Sequence, residues 1–166
     1  SKSTEWSRLT LALTALGYPI TNVAGYDFVE HLSKSHSFSY RQGINGPIWE
    51  IIALDTGGYQ LYPDASNSDV NTVGKMIDYI LAQEIKQSNG GWALSGSIPD
   101  PDITGMALQA LAPYYLDSSR YQQTGATTSY QDFAQAVERA IVVLSEIQLP
   151  SGGYGSWGTS NSESIV

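Results

Sequence analysis

A short segment rich in alanine and leucine recurs along the chain and limits the folds that it can adopt. Residues 12–15 read Ala-Leu-Thr-Ala, residues 53–56 read Ala-Leu-Asp-Thr, and residues 107–110 read Ala-Leu-Gln-Ala. The three segments align without gaps, and each lies in a stretch whose apolar residues favour a buried helix. The segments are separated by 41 and 54 residues. Repeats at such intervals are typical of stacked helical hairpins, in which each unit covers the apolar face of the next.

Amphipathic helices are predicted to alternate with these apolar ones. The apolar helices are expected at 5–16, 47–57 and 100–113, with another from Ser162, and the amphipathic helices at 27–34, 68–86 and 129–148. Polar loops are expected over 35–42 and 116–128, and no segment alternates strictly enough to predict a sheet. The predicted fold is therefore all-α, one domain over residues 1–166, with the apolar helices inside and the amphipathic helices outside.

The charge balance argues against anionic partners. The chain has 16 acidic and 8 basic residues, a formal net charge of −8, and no cluster of lysine and arginine. Nucleic acids and anionic membrane surfaces are bound through clustered basic residues, so we expect neither as a partner. No apolar run approaches the roughly 18 residues of a membrane helix, and membrane insertion is not predicted.

Metal and cofactor chemistry is not predicted either. The chain has no cysteine, which excludes disulfide scaffolds, thiolate metal sites and a cysteine nucleophile. His31 and His36 lie in a polar stretch and are interpreted as solvated residues rather than ligands. Two carboxylates around a proline, at Asp100 and Asp102, provide too few oxygens to predict a calcium site. The predicted cofactor content is therefore none.

The clearest copy of the repeat covers residues 87–111. It contains a Gly-Gly-Trp loop, the sequence Asp-Pro-Asp-Ile-Thr, and a helix that reads Met-Ala-Leu-Gln-Ala-Leu. Asp100 is predicted to be the N-cap of this helix, and Asp102 to face the positive end of the helix dipole. The equivalent helices also begin with an acid, at Glu5 and at Glu163, which favours capping as the role of the acidic pair.

These motifs resemble those of the terpenoid cyclase and protein prenyltransferase superfamily. They are especially similar to the squalene-cyclase-like repeats of secreted surface proteins from Gram-positive bacteria. The resemblance covers nearly the whole chain and is strongest over 68–166. It implies an α/α toroid, partial in this chain, whereas the periodicity alone also allows a curved α-solenoid. It further implies an extracellular or cell-surface location, and we interpret the chain as a fragment of a larger secreted protein with other domains.

The resemblance also bears on catalysis. In class II terpene cyclases the proton donor is the central aspartate of an Asp-X-Asp-Asp motif, and Asp102 occupies that position. Protonation of an alkene requires a strong acid, whose strength depends on acidic and hydrogen-bonding neighbours. Ile103 replaces the last aspartate of the motif, so one such neighbour is missing. Asp100 and Asp102 are therefore the catalytic candidates, with capping as the preferred interpretation. The zinc site of the prenyltransferases includes a cysteine, so it is excluded here.

Four aromatic residues follow glycine-rich turns and are predicted to lie at one end of the helical stack: Tyr59, Trp92, Tyr154 and Trp157. Glycine permits a tight turn with positive φ, after which an aromatic side chain folds back over the helix ends. The functional alternative is that these rings bind a ligand, because loop aromatics on a rigid scaffold are a common recognition surface.

Three functions fit this pattern. The favoured one is a non-catalytic binding or adhesion module of a bacterial surface protein, which binds a small molecule, a glycan or a peptide through the aromatic loops. The second is an enzyme, either a degenerate terpene cyclase or an enzyme acting on polysaccharide, that uses Asp102 as its acid. The third is a structural spacer that binds no ligand.

Overall fold

Helices form nearly all of the regular structure, as the sequence predicts. The computed structural model describes residues 2–34, 36–156 and 159–161. The helices are α1 (Ser3–Ala15), α2 (Phe28–Ser33), α3 (His36–Tyr40), α4 (Asn45–Gly57), α5 (Val73–Ala82), α6 (Pro101–Leu116), α7 (Ser118–Gln123) and α8 (Tyr130–Ile147). A short antiparallel hairpin follows, formed by β1 (Tyr154–Ser156) and β2 (Thr159–Asn161). Its strands are too short to show the alternation that predicts a sheet. The helix predicted from Ser162 lies outside the described residues.

Helix α4 lies at the centre of the packing. It packs against α1, α3, α5 and α6, and α6 in turn packs against α7 and α8. Ile48, Ile51 and Ala53 of α4 are wholly buried, in a core that continues through apolar residues of α5, α6 and α8. Helix α8 combines a buried apolar face with an exposed, largely polar one, as an amphipathic helix at the edge of a core does. Helix α5 lies deeper, because its polar residues are half-buried.

The first two copies of the repeat end in the same backbone structure. At the end of α4, Gly58 has φ +65°, and the N–H groups of Gly58 and Tyr59 donate to carbonyl oxygens of the last turn. This is a Schellman motif, which glycine favours because a β-carbon would strain the left-handed conformation. Gly17 and Tyr18 make the equivalent hydrogen bonds at the end of α1. The sequence alignment of these two segments therefore corresponds to a structural equivalence.

The third copy ends differently. The prediction that its helix ends near Pro113 is wrong, because α6 continues to Leu116. Pro113 has no N–H group, so one helical hydrogen bond is lost. The next residue, Tyr114, is 3% exposed, and its hydroxyl donates to Asp55 Oδ1 at 2.9 Å. Burial of this ring and the hydrogen bond to α4 stabilise the additional turn.

Two stretches that the sequence predicts as polar loops contain short helices. Helix α3 lies within 35–42, and α7 lies within 116–128. The Asp117 side chain accepts hydrogen bonds from the N–H groups of Ser119 and Arg120, so α7 has a well-formed N-cap. A single turn of polar residues gives too little hydrophobic periodicity to predict such a helix.

Helix α5 is shorter than the predicted helix over 68–86. It begins at Val73 because Thr72 is the N-cap, whose side-chain oxygen accepts a hydrogen bond from the Lys75 N–H. After Ala82 the chain leaves the α-helix, and a 3-10 turn forms at Lys86–Ser88. The apolar face over 73–82 is retained, whereas the ends of the predicted segment, which include the buried Ile85, fall outside the helix.

Helix α1 is predicted to be buried on most sides, but in the structure it buries one narrow, polar side. Its buried residues are small and hydroxylated: Ser3, Thr4, Ser7 and Thr10. Leu9 and Leu16 are 51% and 71% exposed. Ser3 Oγ donates to the Ser39 carbonyl oxygen at 3.2 Å, and a β-carbon at Gly46 would overlap that same carbonyl. The expectation of a helix buried through its leucines is therefore corrected, because close contact at this point requires small residues.

A buried carboxyl group joins α4 to α3 and to the loop before α5. Glu50 is wholly buried, and its oxygens accept hydrogen bonds from Ser39 Oγ and Asn71 Nδ2, both at 2.6 Å. Burial raises the pKa of Glu50 from 4.5 to about 8, and the two hydrogen bonds oppose this increase only in part. The low-dielectric surroundings therefore favour the protonated form near neutral pH.

The free energy of unfolding is expected to decrease as pH rises from about 5 to about 8. Over this range the unfolded chain releases the Glu50 proton while the folded chain retains it, which costs at most about 1.4 kcal/mol per pH unit. Glu50→Gln, which imitates the protonated side chain, should flatten this decrease. Urea denaturation of both proteins at about pH 5 and about pH 9 measures the difference. An unchanged pH dependence in the variant would contradict the assignment to Glu50.

Candidate functional site

The acidic pair at the start of α6 has the geometry of a helix cap. Asp100 is the N-cap, and its Oδ1 accepts a hydrogen bond from the Ile103 N–H at 2.9 Å. This confirms the capping interpretation of Asp100. Asp102 lies in the first turn and is exposed to solvent. A solvated carboxylate there is suited to the helix dipole, and its position gives no support to a role as a strong catalytic acid.

Trp92 is a core residue rather than a surface residue. Its side chain is 0% exposed, and the indole N–H donates to the Ile80 carbonyl oxygen at 2.8 Å. Thr104 Oγ1 accepts from the Trp92 N–H at 2.9 Å and donates to the Trp92 carbonyl oxygen at 3.0 Å. The expectation that Trp92 contacts a ligand is therefore corrected. A buried indole with its N–H paired stabilises the junction between α5 and α6.

The other aromatic residues of the prediction lie in different surroundings. Tyr154 is 5% exposed at the start of β1, so the expectation of a ligand contact is corrected there too. Trp157 lies outside the described residues. Tyr59 is half-buried, its hydroxyl lies 2.8 Å from Thr14 Oγ1, and its ring occupies the space where a β-carbon of Gly57 would be. Tyr59 also borders a cleft, which makes it the predicted residue best placed for binding.

This cleft has a volume of about 290 Å³ and lies between the end of α4, the following loop, α6 and α7. Its lining combines aromatic rings with amide and hydroxyl groups, among them Tyr59, Gln60, Tyr62, Asn71, Gln123 and Thr124. The volume is close to the lower limit of roughly 300 Å³ for small-molecule sites in proteins. Side chains from distant parts of the chain thus converge on a space of ligand size.

An ion pair forms one wall of the cleft. Asp55 Oδ1 accepts hydrogen bonds from the Tyr114 hydroxyl at 2.9 Å and from Arg120 Nη2 at 2.7 Å. The Arg120 guanidinium lies 4.8 Å from the centre of the Tyr114 ring. Burial raises the pKa of Asp55, against the opposing effects of Tyr114 and Arg120, and burial also raises the pKa of Tyr114. These contacts hold α7 against α4 and α6, and they neutralise the charge in the wall.

The sequence predicts neither Asp55 nor Arg120 as a site residue. The sequence does contain one signal for Asp55. This residue lies at the end of an apolar helical segment, and a partly buried carboxylate requires a partner. That partner is one of only 8 basic residues in the chain, and it lies 65 positions further on in a stretch that reads as a loop. No local pattern links the two residues, so the cleft becomes visible only in the folded structure.

Comparisons with protein-family profiles, with curated proteins and with solved structures gave no match to this chain. The resemblance to the terpenoid cyclase superfamily therefore stays a prediction. In the part of the chain that the structure describes, no helix is long and apolar enough to cross a bilayer. Among the same residues, no three His, Asp or Glu side chains are grouped in a way that would hold a metal ion.

The two aspartates at the start of α6 are expected to differ in their effect on stability. Asp100→Ala should lower the free energy of unfolding by about 0.5–2 kcal/mol, because the N-cap hydrogen bond is lost. Asp102→Ala, its matched control, removes only a favourable charge near the helix dipole and should cost about 0.3–1 kcal/mol. Urea denaturation measures both values. A larger loss in Asp102→Ala than in Asp100→Ala would contradict the assigned roles.

Proposed function

We propose that this protein is a non-catalytic binding module and that the cleft beside Tyr59 holds its ligand. The observation that carries this proposal is the convergence of three aromatic rings and several amide and hydroxyl side chains on a cleft of about 290 Å³. Binding sites for small molecules combine apolar surface with a few directed polar groups in this way. Because α4, α6 and α7 supply the walls, the site is built on packed helices as well as on a loop.

The ligand proposed for the cleft is a neutral polyhydroxylated compound, such as a glycan. The Asp55 carboxylate is paired with Arg120, so the wall that they form has little net charge to attract an ionic ligand. The amide groups of Gln60 and Gln123 offer both donors and acceptors, as hydroxyl-rich ligands require. The rings of Tyr59 and Tyr62 provide flat apolar surface for the faces of sugar rings.

The surroundings of Asp55 and Asp102 favour binding over catalysis. Asp55 Oδ1 already accepts two hydrogen bonds, and Asp55 Oδ2 is enclosed and has no hydrogen-bond partner. The contacts with Tyr114 and Arg120 are those of a structural carboxylate, because they join α4 to α6 and α7. Asp102 is exposed at a helix start. The proposed role of both aspartates is therefore structural.

In this proposal the module is a partial α/α toroid or a curved α-solenoid, with α1, α4 and α6 as its inner helices. The contacts of α4 with both α1 and α6, and the positions of α5 against α4 and of α8 against α6, support this arrangement. The module is placed on the outside of a Gram-positive bacterium as part of a larger surface protein. The sequence resemblance and the absence of cysteine from the chain support this location.

Gln60→Ala and Gln123→Ala are each expected to weaken glycan binding by about 3- to 10-fold. Each change removes an amide group at the cleft, and one hydrogen bond contributes about 0.5–1.5 kcal/mol. The ligand is first selected from a panel of neutral glycans by thermal shift, and its affinity for each variant is then measured by calorimetry. Gln135→Ala, on the groove between α5 and α8, is the matched control and should bind normally.

Two results would contradict this proposal. Equal binding by Gln60→Ala, Gln123→Ala and the control would place the ligand outside the cleft. A folded protein that binds neither the glycans nor a peptide panel would instead agree with the structural-spacer function.

A further inference from the structure

A second cavity borders the cleft on the other side of Tyr62 and Pro63. Its volume is about 280 Å³, and it is lined by the end of α2 and by the loop before α5, including Glu30, Lys34 and Asn67. Tyr62 and Pro63 line both cavities. The two cavities therefore adjoin at these two residues, and together they are called the groove below.

The Tyr62 side chain is fixed in the position where the two cavities adjoin. Its N–H donates to Ser33 Oγ at 2.8 Å, and its hydroxyl donates to Asp27 Oδ2 at 2.9 Å. Pro63 restricts the backbone immediately after it. The Tyr62 side chain is nevertheless 42% exposed. Both ends of the residue are thus anchored in α2 and its cap, while part of the ring stays available to a ligand.

The second cavity has the same chemical character as the first. Glu30 and Lys34 form an ion pair at 3.0 Å, so their charges compensate each other. Asn67 Nδ2 donates to the Lys34 carbonyl oxygen at 3.2 Å, and Asp64 Oδ1 accepts from the N–H and hydroxyl of Ser66. Asp64 adds one negative charge beyond the ion pair. Its carboxylate, the Asn67 amide and the apolar side chains suit a neutral ligand whose hydroxyl groups donate hydrogen bonds.

The size of the two cavities favours a ligand that occupies both. Each cavity alone is slightly smaller than the roughly 300 Å³ at which small-molecule sites begin. A chain of linked sugar units presents the same chemistry to both cavities and crosses the ring between them. A peptide bound by strand addition is not suited, because that mode needs a free sheet edge and this groove is bordered by helix ends and a loop.

We propose that the two cavities are adjacent subsites for a linear neutral oligosaccharide whose chain crosses Tyr62. This inference rests on the proposed binding function and specifies its ligand class. A single sugar occupies the cleft beside Tyr59, where two aromatic rings are available. A longer chain also occupies the cavity beside Lys34. Affinity therefore increases with chain length until both subsites are full.

Calorimetric titration of the intact protein tests this length dependence. The probes are glucose and N-acetylglucosamine with their β-1,4-linked dimers, tetramers and hexamers. For the sugar type that binds, affinity should increase by at least about tenfold from the single unit to the tetramer, and little further to the hexamer. In NMR titrations, the tetramer should shift the amide signals of both Gln123 and Asn67, and the single sugar those near Gln123 only.

Lys34→Ala should lower the affinity for the tetramer to near that of a single sugar and leave single-sugar affinity unchanged. Lys34 is a suitable site because its side chain is 58% exposed, so the fold should tolerate the change. Lys86→Ala, on the groove between α5 and α8, is the matched control and should have no effect on either ligand.

The outcomes separate this inference from the function on which it rests. Single-sugar binding that Gln123→Ala weakens, without any gain for the tetramer, would overturn the two-subsite inference and leave the binding function in place. A Lys34→Ala protein that binds the tetramer normally would also overturn it. Absence of binding to every sugar would contradict the proposed glycan-binding function itself, and binding of peptides alone would replace the ligand class.

Discussion

The buried carboxyl group of Glu50 connects the core to the groove beside Tyr62. Glu50 Oε1 accepts a hydrogen bond from Asn71 Nδ2, and the Asn71 N–H donates to the Ser33 carbonyl oxygen at 2.9 Å. Ser33 Oγ in turn accepts the Tyr62 N–H. A chain of contacts thus runs from the middle of α4 to the residue at which the two cavities adjoin. Loss of its first link would leave buried polar atoms unpaired in the core. The core therefore fixes the position of a loop whose own sequence is mostly polar.

Similar acidic side chains behave differently in this protein because their surroundings differ. Burial raises the pKa of Glu50. Burial also acts on Asp78, but hydrogen bonds from the N–H and hydroxyl groups of Thr127 and Thr128 outweigh it and lower the pKa of that residue. Asp100 caps a helix. In a chain with 16 acidic residues, an acid at a helix start is therefore weak evidence for catalysis, and its hydrogen-bond partners are the better guide.

Helices that combine an N-cap with an apolar periodicity are predictable from this sequence, whereas the single-turn helices α3 and α7 lack that periodicity. The helices predicted over 27–34 and 129–148 correspond to α2 and α8, which Asp27 and Ser129 cap, because cap and first turn are adjacent in the chain. The buried side of α1 and the burial of Trp92 depend on which helices pack together, and periodicity does not contain that information. The cleft depends on contacts such as that between Asp55 and Arg120, which bring distant parts of the chain together.

The two Schellman turns show how the same motif borders a cleft in one copy and not in the other. Tyr18 and Tyr59 follow the same backbone turn, yet Tyr18 is 61% exposed while Tyr59 is half-buried beside the cleft. The turn is local, so both copies form it. The cleft requires neighbours, and α6 and α7 bring Tyr114 and Arg120 to the end of α4. The segment over 87–111 is the clearest copy of the motif, and its contacts are those of a stabilising element. In this chain, the copy whose neighbours differ is a better place to search for function than the copy whose sequence is most regular.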